Sequence, residues 1–573
     1  MAIERELKVD LDPSSLRRQP PTPNQATPNQ ASPNQASPNQ ASPDPAPDRP
    51  LVAGTGPLGP QSIDLDDLDL VFSSPRTLTL VADYWDTPSG RLRSWGVTMR
   101  HRSASDDSES GWTVKIPVPA PLPKLELARR GRPLDQPTAL HARREVDEPG
   151  SEASPPGRVL AVVSGLIGGE ALGRVARLTT VRTSTDVVAH GRTPGVDPGV
   201  RADEDLVIAE SRDEVRRFAQ LEIESTGDDE LLEVIARRAD SIGLARSGSA
   251  NKLEQTLGPG TDAVALSAPL APSSDLRSAV QTAVTIPLRS MLAADALLRD
   301  DLTSIPPLGS DERRWVPDPA AWRITQFATR QLRDNLVSLG LWGREPGEDP
   351  MLDSATQFVE LLDDLDDAHT VILRLRPLGS TNPFTASVEV ELERAGRAVS
   401  TALHSPSHRE LLAALEHAAA HPEPLAAFDG SVPAASLLLE ANLGAWSRLA
   451  HVVQAAESAP AGSTAADAAM SVVLDASAGA RAIAELSAPV LGNGAAQAAE
   501  RLALLESVLT TRRDAVVFQH WIQHFVVEHG ALLDSATAFR AGELHMAARL
   551  DPSRTVDWHR IWERAQKRRP ERW

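Results

Sequence analysis

The apolar residues of this chain change their spacing partway along the sequence. In the first part they occur in short segments that alternate apolar and polar side chains, as at 78–85, and this period of two is typical of β-strands. After Pro259 they recur at helical spacing over long windows. The sequence therefore predicts an α+β protein with a strand-rich domain at 1–257, a linker at 258–274 and an all-α helical bundle at 275–573.

The charge balance of the 573 residues argues against several classes of partner. Lysine and arginine number 58 against 78 aspartate and glutamate residues, a formal net charge of −20, so neither a nucleic acid nor an anionic membrane is an expected partner. The chain has no cysteine, which excludes disulfides and thiolate metal sites. Because it also lacks an apolar run of membrane-spanning length and a leader-like start, we expect a cytoplasmic protein.

Residues 21–60 form a segment of low complexity within the strand-rich part. The unit Pro-Asn-Gln occurs four times between Pro23 and Gln40, at a spacing of five residues. Such a segment has too few apolar side chains to offset the entropy lost on ordering, so we predict a disordered insertion in a loop. A plain spacer is the simpler interpretation, and a binding role is the alternative.

Two Glu-x-Glu pairs lie at opposite ends of the strand-rich part. On a strand, Glu4, Glu6 and Lys8 share one face because side chains alternate, and Glu222 and Glu224 share a face in the same way. For the first segment alone, a half-buried strand with a solvated charged face is the simpler explanation. If the strands close into a barrel, however, the charged faces point inward together, since inside and outside alternate along every strand.

Basic residues follow the same alternation on two further predicted strands. Arg100 and Arg102 share a face of one strand, and Lys115 ends the other. Carboxylate oxygens suit a hard divalent cation such as Mg²⁺ or Mn²⁺, whereas guanidinium and ammonium groups suit phosphate oxygens. An interior that carries both types of group therefore predicts a metal polyphosphate as the shared ligand.

Five motifs, in this order, resemble the CYTH domain of the triphosphate tunnel metalloenzymes. They are Glu4-x-Glu6-x-Lys8, Tyr84-Trp85-Asp86-Thr87-Pro88 followed by Arg91-Leu92-Arg93, the Arg100/Arg102 strand, Trp112-Thr113-Val114-Lys115 and Leu221-Glu222-Ile223-Glu224. The resemblance covers nearly all of 1–257 and implies an eight-stranded antiparallel β tunnel that binds triphosphate. It implies metal ligands at Glu4, Glu6, Asp205, Glu222 and Glu224. It implies phosphate contacts from Lys8, Arg100, Arg102, Lys115, Arg182 and Lys252, with Glu4, Glu6 and Lys8 in the catalytic centre.

Two segments depart from the pattern of that family. Of the basic run usual in the strand at 175–182, only Arg177 and Arg182 remain, and strict alternation puts them on opposite faces. One of these two arginines is therefore expected outside the tunnel. Gln220 stands where a further glutamate is usual, which weakens the acidic cluster and puts metal affinity in question.

Three segments of the helical half resemble the CHAD domain, a helical module that often follows a CYTH domain and binds polyphosphate. They lie at 327–333, 403–415 and 509–517. The basic surface of that family is reduced here, because acidic side chains outnumber basic ones over 261–573. A remaining half-site would consist of Arg323, Arg330, Arg333, Arg374 and Arg376. A solvated helix face is the alternative interpretation of these arginines.

The predicted function is metal-dependent hydrolysis of inorganic triphosphate or a related triphosphate in the tunnel. Mg²⁺ or Mn²⁺ is the predicted cofactor, and the helical domain is a candidate binder of polyphosphate. The intact glutamate pairs favour an enzyme, since simple anion binding gains nothing from carboxylates unless a metal bridges them. A non-catalytic polyphosphate-binding scaffold is the alternative, and nucleotide cyclisation, which some relatives of the fold perform, stays open.

Overall fold

The computed structural model describes most of the chain. The described residues are 3–11, 68–105, 110–118, 141–241, 247–249, 251–260, 264, 268–306, 315, 318–342, 349–379, 382–422, 431–460 and 462–573. At positions 3, 4, 141 and 142 the description covers the backbone alone. The predicted disordered insertion at 21–60 lies outside the described residues.

The strands of the N-terminal half form one antiparallel sheet that closes on itself. The described strands are β1 (Ile3–Leu11), β2 (Leu70–Phe72), β3 (Arg76–Asp86), β4 (Thr98–Ala104), β5 (Gly111–Pro117), β6 (His141–Glu148), β7 (Gly173–Ala189), β8 (Val200–Ser211) and β9 (Val215–Ser225). Their order is β7-β3-β4-β5-β6-β1-β9-β8, and β8 pairs with β7 again, so these eight strands close into a barrel. The short β2 pairs with the far end of β7.

Helices follow the barrel in the sequence and make up the second half of the chain. Those within the barrel domain are α1 (Arg91–Ser94), α2 (Gly157–Val163), α3 (Asp229–Ser241) and α4 (Lys252–Leu257). Those of the helical half are α5 (Leu276–Thr303), α6 (Pro319–Ser338), α7 (Pro350–Leu375), α8 (Pro383–Leu403), α9 (Pro406–Ala420), α10 (Ala434–Ser458), α11 (Thr464–Leu491), α12 (Asn493–His529), α13 (Ser535–Arg549) and α14 (Trp558–Gln566). The predicted α+β class, a β tunnel followed by an all-α bundle, is confirmed.

Along β9 the barrel carries apolar side chains outside and charged side chains inside. On β9, Leu221 and Ile223 point outward and are completely buried in the cluster that includes Leu232 of α3. Their neighbours Glu222 and Glu224 point inward and line a cavity. On this strand the period of two therefore separates a packed outer face from a charged inner face. Elsewhere the inner face is apolar, because Ala82, Leu178 and Val207 belong to one buried cluster inside the barrel.

Polar caps mark where several helices begin. Asp275 precedes α5, and its Oδ1 accepts a hydrogen bond from the backbone N–H of Ser278 at 2.9 Å. Asp318 caps α6 in the same way, with Pro319 in the first turn, where a missing N–H costs nothing. These caps fix the first turns of α5 and α6, the two helices that begin the bundle.

The barrel and the helical half share one hydrophobic core. Met99, Trp112 and Val146, on β4, β5 and β6, are buried in the same cluster as Leu288 and Leu292 of α5. The outer side chains of these three strands, which we call the β4–β6 wall, therefore belong to a core that includes α5, and α2 contacts both α5 and the strands β5 and β6. Within the described residues, no helix has the length and apolar character needed to cross a membrane.

Candidate functional site

The barrel encloses a cavity of about 550 Å³ with a mostly charged wall. The predicted site residues that line it are Lys8, Arg100, Arg102, Lys115, Arg182, Glu222, Glu224 and Lys252. Glu6 and Asp205 are buried beside them, with 2% and 1% of their surface exposed. Glu4 lies in β1 opposite Arg143 of β6, and its side chain is outside the described part of the structure.

Three carboxylates surround Arg182 of β7. Its guanidinium nitrogens lie 2.6 Å from Oδ2 of Asp203, 2.8 Å from Oδ2 of Asp205 and 2.9 Å from Oε2 of Glu222. These partners are on β8 and β9, the next strands around the barrel. Burial lowers the pKa of Arg182, but the carboxylates outweigh burial and raise this pKa well above its usual value. Arg182 therefore stays protonated, and the three carboxylates around it balance its positive charge.

Glu222 lies at the centre of this network. The Nζ of Lys8 is 3.0 Å from its Oε1, and the Nζ of Lys252, in α4, is 2.7 Å from its Oε2. Lys252 also lies 2.9 Å from Oδ2 of Asp205. Burial raises the pKa of Glu222, but Lys252, Lys8 and Arg182 outweigh burial and hold this pKa well below its usual range. Glu222 is therefore ionised at neutral pH.

Glu6 extends the network towards β6. Its Oε1 is 3.1 Å from Nζ of Lys8 and 3.2 Å from Nε of Arg143. Burial raises the pKa of Glu6 and Lys8 lowers it, and the net effect of all its neighbours is a lowered pKa. Lys8 thus bridges Glu6 and Glu222, so one ammonium group holds two strands of the barrel together.

The β4–β6 wall adds further charged side chains to the lining of the cavity. Lys115 of β5 lies 2.7 Å from Oε1 of Glu145 on β6. Arg100 donates a long hydrogen bond of 3.4 Å to the hydroxyl of Tyr84 on β3. Burial raises the pKa of Tyr84, but Arg100 and Lys252 outweigh burial and lower it.

Several residues of the tunnel are absent from the predicted site residues, among them Tyr84, Arg143, Glu145 and Asp203. The signal that identifies three of them is the same period of two. Arg143, Glu145 and Asp147 alternate along β6, and Asp203 alternates with Asp205 along β8.

The two departures from the family pattern have definite positions. Arg177 lies outside the tunnel, where its Nε is 2.8 Å from Oδ1 of Asp83, whereas Arg182 lies inside. This is the arrangement that strict alternation predicts. Gln220 is completely buried, and its Nε2 donates to Oδ1 of Asp10 at 3.4 Å and to Oγ of Ser247 at 3.3 Å.

Cations occupy the space between the tunnel carboxylates. Within the described residues, no group of three or more carboxylate or imidazole side chains is arranged to hold a metal ion. The Oδ1 atom of Asp203 is nevertheless buried without a hydrogen-bond partner, and burial raises the pKa of this residue. Asp203 therefore keeps one oxygen available for a cation.

Acidic residues neutralise four of the five arginines of the predicted half-site in the helical half. The pairs are Arg323 with Asp366, Arg330 with Asp363, Arg333 with Asp334 and Arg374 with Asp551, at distances of 2.5 to 2.9 Å. Arg376 is exposed. These arginines do not form an open cationic face, because each of the four pairs lies within the helical domain itself.

Negative charge exceeds positive charge around these pairs. Burial raises the pKa of Asp367 and of Asp514 to about 6, although Arg513 lies close to both. Burial also raises the pKa of Glu506 to about 7, although Nε of Arg481 is 2.6 Å away. Carboxyl groups that resist ionisation indicate that further negative charge is unfavourable in this region.

Comparison with known proteins identifies the helical half. The family model for the CHAD domain matches residues 308–523. No curated protein matches the sequence at a significant level. Among solved structures, the CHAD domain from the plant Ricinus communis is 17% identical with a TM-score of 0.40, over 53% of this chain and 95% of that one.

Two further solved structures are similar to parts of the chain. A candidate adenylate cyclase from Bacillus halodurans is 14% identical with a TM-score of 0.21, over 32% of this chain and 83% of that one. A candidate adenylyl cyclase from Hippeastrum, with a dominant triphosphatase activity, is 15% identical with a TM-score of 0.23, over 44% of this chain and 93% of that one. By the family match, this chain contains a CHAD domain at 308–523, and that domain follows an antiparallel barrel whose charged interior fits a CYTH-like tunnel.

Proposed function

We propose that the tunnel binds inorganic triphosphate and hydrolyses it with the help of Mg²⁺ or Mn²⁺. The observation that carries this proposal is the composition of the cavity wall, where cations and carboxylates line one closed barrel. An anion alone is bound best by cations, and a divalent metal alone is bound best by carboxylates. A wall that carries both suits a metal with its phosphates.

The cations of the β4–β6 wall are the groups that we assign to the phosphates. Arg100, Arg102 and Arg143 each offer several N–H donors in a planar fork, which matches phosphate oxygens, and Lys115 adds a point charge. Only 9% of Arg100 and 3% of Arg143 is exposed, so water screens these charges little. Their positions are fixed before the ligand arrives, which lowers the cost of binding.

The carboxylates of β1, β8 and β9 fit a hard divalent cation by the chemistry of their oxygen atoms. The unpartnered Oδ1 of Asp203 supports this fit. The other carboxylates contact Lys8, Arg182 or Lys252, so a metal competes with these cations for them. The residues that we assign to the metal are Glu4, Glu6, Asp203, Asp205, Glu222 and Glu224. When bound, a divalent cation polarises phosphoryl oxygens and makes water a better nucleophile.

The chain's own residues contribute mainly by positioning and by neutralising charge. Arginine and lysine side chains stabilise the charge on the transferred phosphoryl group. The closed barrel limits access of bulk water, which strengthens each of these contacts. Lys8 contacts two carboxylates in the described state, and we expect it to exchange one of them for a phosphate oxygen.

The aromatic residues of the tunnel favour an inorganic substrate over a nucleotide. Among the described lining residues, Tyr84 and Trp112 are aromatic, with 4% and 0% of their surface exposed, and the ring of Trp112 lies in the core outside the barrel. The Nε1 of Trp112 donates to the backbone oxygen of Ser151 at 3.0 Å, and the Tyr84 hydroxyl accepts from Arg100. Neither ring offers a face on which a base could stack. This argues against nucleotide cyclisation.

The scaffold alternative depends mainly on the helical domain. Binding of a long polyanion requires an open positive face, and Arg323, Arg330, Arg333 and Arg374 are each paired with an aspartate. We therefore assign triphosphate binding to the tunnel and only weak polyphosphate binding to the helical domain.

The test is phosphate release from tripolyphosphate by the purified full-length chain with Mg²⁺, Mn²⁺ or EDTA. Glu4→Gln and Glu6→Gln remove one predicted metal ligand each, and Glu152→Gln, on the outside of the barrel beside Arg177, is the control. The expected result is metal-dependent release that both tunnel variants lose and the control keeps. Wild-type rates in the glutamine variants would exclude this site.

Two other outcomes would identify a different function. Tripolyphosphate that binds but is not hydrolysed with any of the metals would support the scaffold. A cyclic product from ATP, measured beside the tripolyphosphate assay, would support nucleotide cyclisation.

A further inference from the structure

Neighbouring arginines of β6 point to opposite sides of the barrel wall. Arg143 faces the tunnel and contacts Glu6. Arg144 faces the helical domain, where its Nη1 lies 2.6 Å from Oδ1 of Asp301 in α5. Its Nη2 lies 3.3 Å from Oδ2 of Asp318, the residue that caps α6. One strand thus carries a tunnel contact and a domain contact on adjacent residues.

A second contact joins the same helix to the end of the same strand. Glu148, the last residue of β6, lines the tunnel cavity. Its Oε1 lies 2.7 Å from Nη1 of Arg158 in α2, and Nη2 of Arg158 lies 3.3 Å from Oδ1 of Asp300 in α5. The other oxygen of Asp300 lies 3.6 Å from Nη1 of Arg144. Asp300 and Asp301 therefore contact the middle of β6 at Arg144, and Asp300 also reaches the end of the strand through Arg158.

The charged groups of Arg144, Asp300 and Asp301 are buried, and their removal from water costs free energy. Arg144 is 4% exposed, and Asp300 and Asp301 are 0% and 1% exposed. The apolar residues around them would dock the two domains without any charge, and buried ion pairs often stabilise a protein less than apolar side chains do. What a directional ion pair adds is a fixed position for the strand that carries it.

The inner face of β6 carries one group that we assign to the phosphates and one group that orients another such cation. Arg143 contacts Glu6, and Glu145 orients Lys115 at 2.7 Å. A small shift of β6 moves both groups relative to Arg100 on β4, because β5 alone separates these strands. In catalysis, a misplacement of positioned groups by about 1 Å can cost roughly a hundredfold in rate.

We propose that the helical domain positions the phosphate-binding wall of the tunnel through Asp300 and Asp301, with Arg144 and Arg158 as positioning residues. The inference rests on the proposed function, since it assigns the β4–β6 wall to triphosphate. None of these four residues needs to touch the ligand. Their role is to hold β6 where Arg143, Glu145 and Lys115 act together.

The test compares Arg144→Met with two other variants of the full-length protein. Arg144→Lys keeps the charge, and Arg481→Met breaks a buried ion pair with Glu506 inside the helical domain, away from β6. Tripolyphosphate binding is measured by titration calorimetry in EDTA, and KM and kcat are measured with metal. Arg144→Met is expected to raise Kd and KM at least tenfold with less than a threefold change in kcat, and lysine should restore part of the loss. Arg481→Met should lower Tm but leave Kd within twofold.

Amide hydrogen exchange of the segment 141–148 gives a readout that needs no ligand. Arg144→Met is expected to speed exchange there at least tenfold, and Asp301→Asn repeats the test from the other partner. Unchanged exchange in both variants would overturn the inference, as would wild-type Kd and KM in folded Arg144→Met. A wild-type protein that neither binds nor hydrolyses tripolyphosphate would overturn the proposed function instead, while the exchange result would still decide whether α5 holds β6.

Discussion

The Nζ of Lys252 lies 2.7 Å from Oε2 of Glu222, so a helix that follows the last strand supplies a cation to the inside of the tunnel. Lys252 is only 8% exposed, and burial lowers its pKa while Asp205 and Glu222 raise it to a value above the usual one. Helix α4 is thus part of the tunnel, and its lysine belongs to the same network as Lys8 and Arg182.

Replacing Lys252 by methionine is expected to change the affinities for metal and phosphate in opposite directions. Loss of the ammonium leaves Asp205 and Glu222 with less positive charge, so Mn²⁺ should bind more tightly in the absence of triphosphate. Triphosphate should bind roughly 10- to 100-fold more weakly, because a charge-assisted hydrogen bond contributes about 1.5–3 kcal/mol. Titration calorimetry with each ligand measures both effects. Lys567→Met, at an exposed position, is the matched control, and equal losses in the two variants would contradict the assignment.

Arg100 and Arg177 offer a comparison between the inside and the outside of one barrel. Arg100→Ala removes a guanidinium that lines the cavity, and Arg177→Ala removes one that pairs with Asp83 outside. We expect Arg100→Ala to raise KM for tripolyphosphate at least tenfold with a smaller effect on kcat, since it acts on substrate binding. Arg177→Ala should leave both constants within twofold. Steady-state kinetics at saturating Mg²⁺ tests this, and a similar rise in KM for both variants would mean that long-range charge alone governs binding.

The alternation of apolar and polar residues predicts most strands of the barrel, but it fails on β6. Strands such as β9 alternate apolar and charged side chains, and their inward residues are predictable from that alternation. On β6 the outer face carries Arg144 where an apolar side chain would be expected, because this position is buried against Asp301 of the helical domain. The apolar pattern is lost there, and Arg143 and Glu145 are missed with it. A contact between domains therefore places a charged residue where the alternation requires an apolar one, and the strand cannot be predicted from its local sequence.

The helical half illustrates a second limit of local patterns. Helical spacing predicts the helices, and the arginines of the half-site can be named from the sequence. Their partners cannot, since Arg374 pairs with Asp551, which is 177 positions away. Whether a basic residue is open to a ligand depends on such distant contacts, so only the fold decides between an anion site and an internal ion pair.

Glu506 is expected to make the stability of the helical domain depend on pH. Burial raises its pKa to about 7 in the folded chain, from an ordinary value of 4.5. A carboxyl whose folded pKa is raised favours folding when protonated, so its contribution falls as pH rises from about 4.5 to about 7 and is constant above that. The difference corresponds to about 3 kcal/mol at roughly 1.4 kcal/mol per pKa unit.

Glu506→Gln removes this titration, because the amide stays neutral. The Tm of the variant relative to that of the wild type should therefore rise between pH 5 and pH 8, as measured by circular dichroism. Glu500→Gln, at an exposed position on the same helix, should show a constant difference. A constant difference for Glu506→Gln as well would mean that Arg481 keeps this carboxylate ionised throughout.

The paired arginines of the helical domain should regain affinity for polyphosphate when their partners lose charge. Asp363→Asn together with Asp366→Asn releases Arg330 and Arg323 from carboxylates while keeping side-chain size. In a Glu6→Gln background, where tunnel turnover is expected to be lost, long-chain polyphosphate should bind at least tenfold more tightly than without these changes.

Salt and a charge-matched control separate local release of the arginines from a change in net charge. The gain in affinity should shrink from 50 mM to 300 mM salt, because the Debye length falls below about 10 Å. Glu410→Gln with Glu563→Gln makes the same change in net charge at exposed positions away from the pairs. Fluorescence anisotropy with labelled polyphosphate compares the two double variants. If both double variants gained the same affinity for polyphosphate, net charge would control binding. The arginines would then have only a structural role, as members of internal ion pairs.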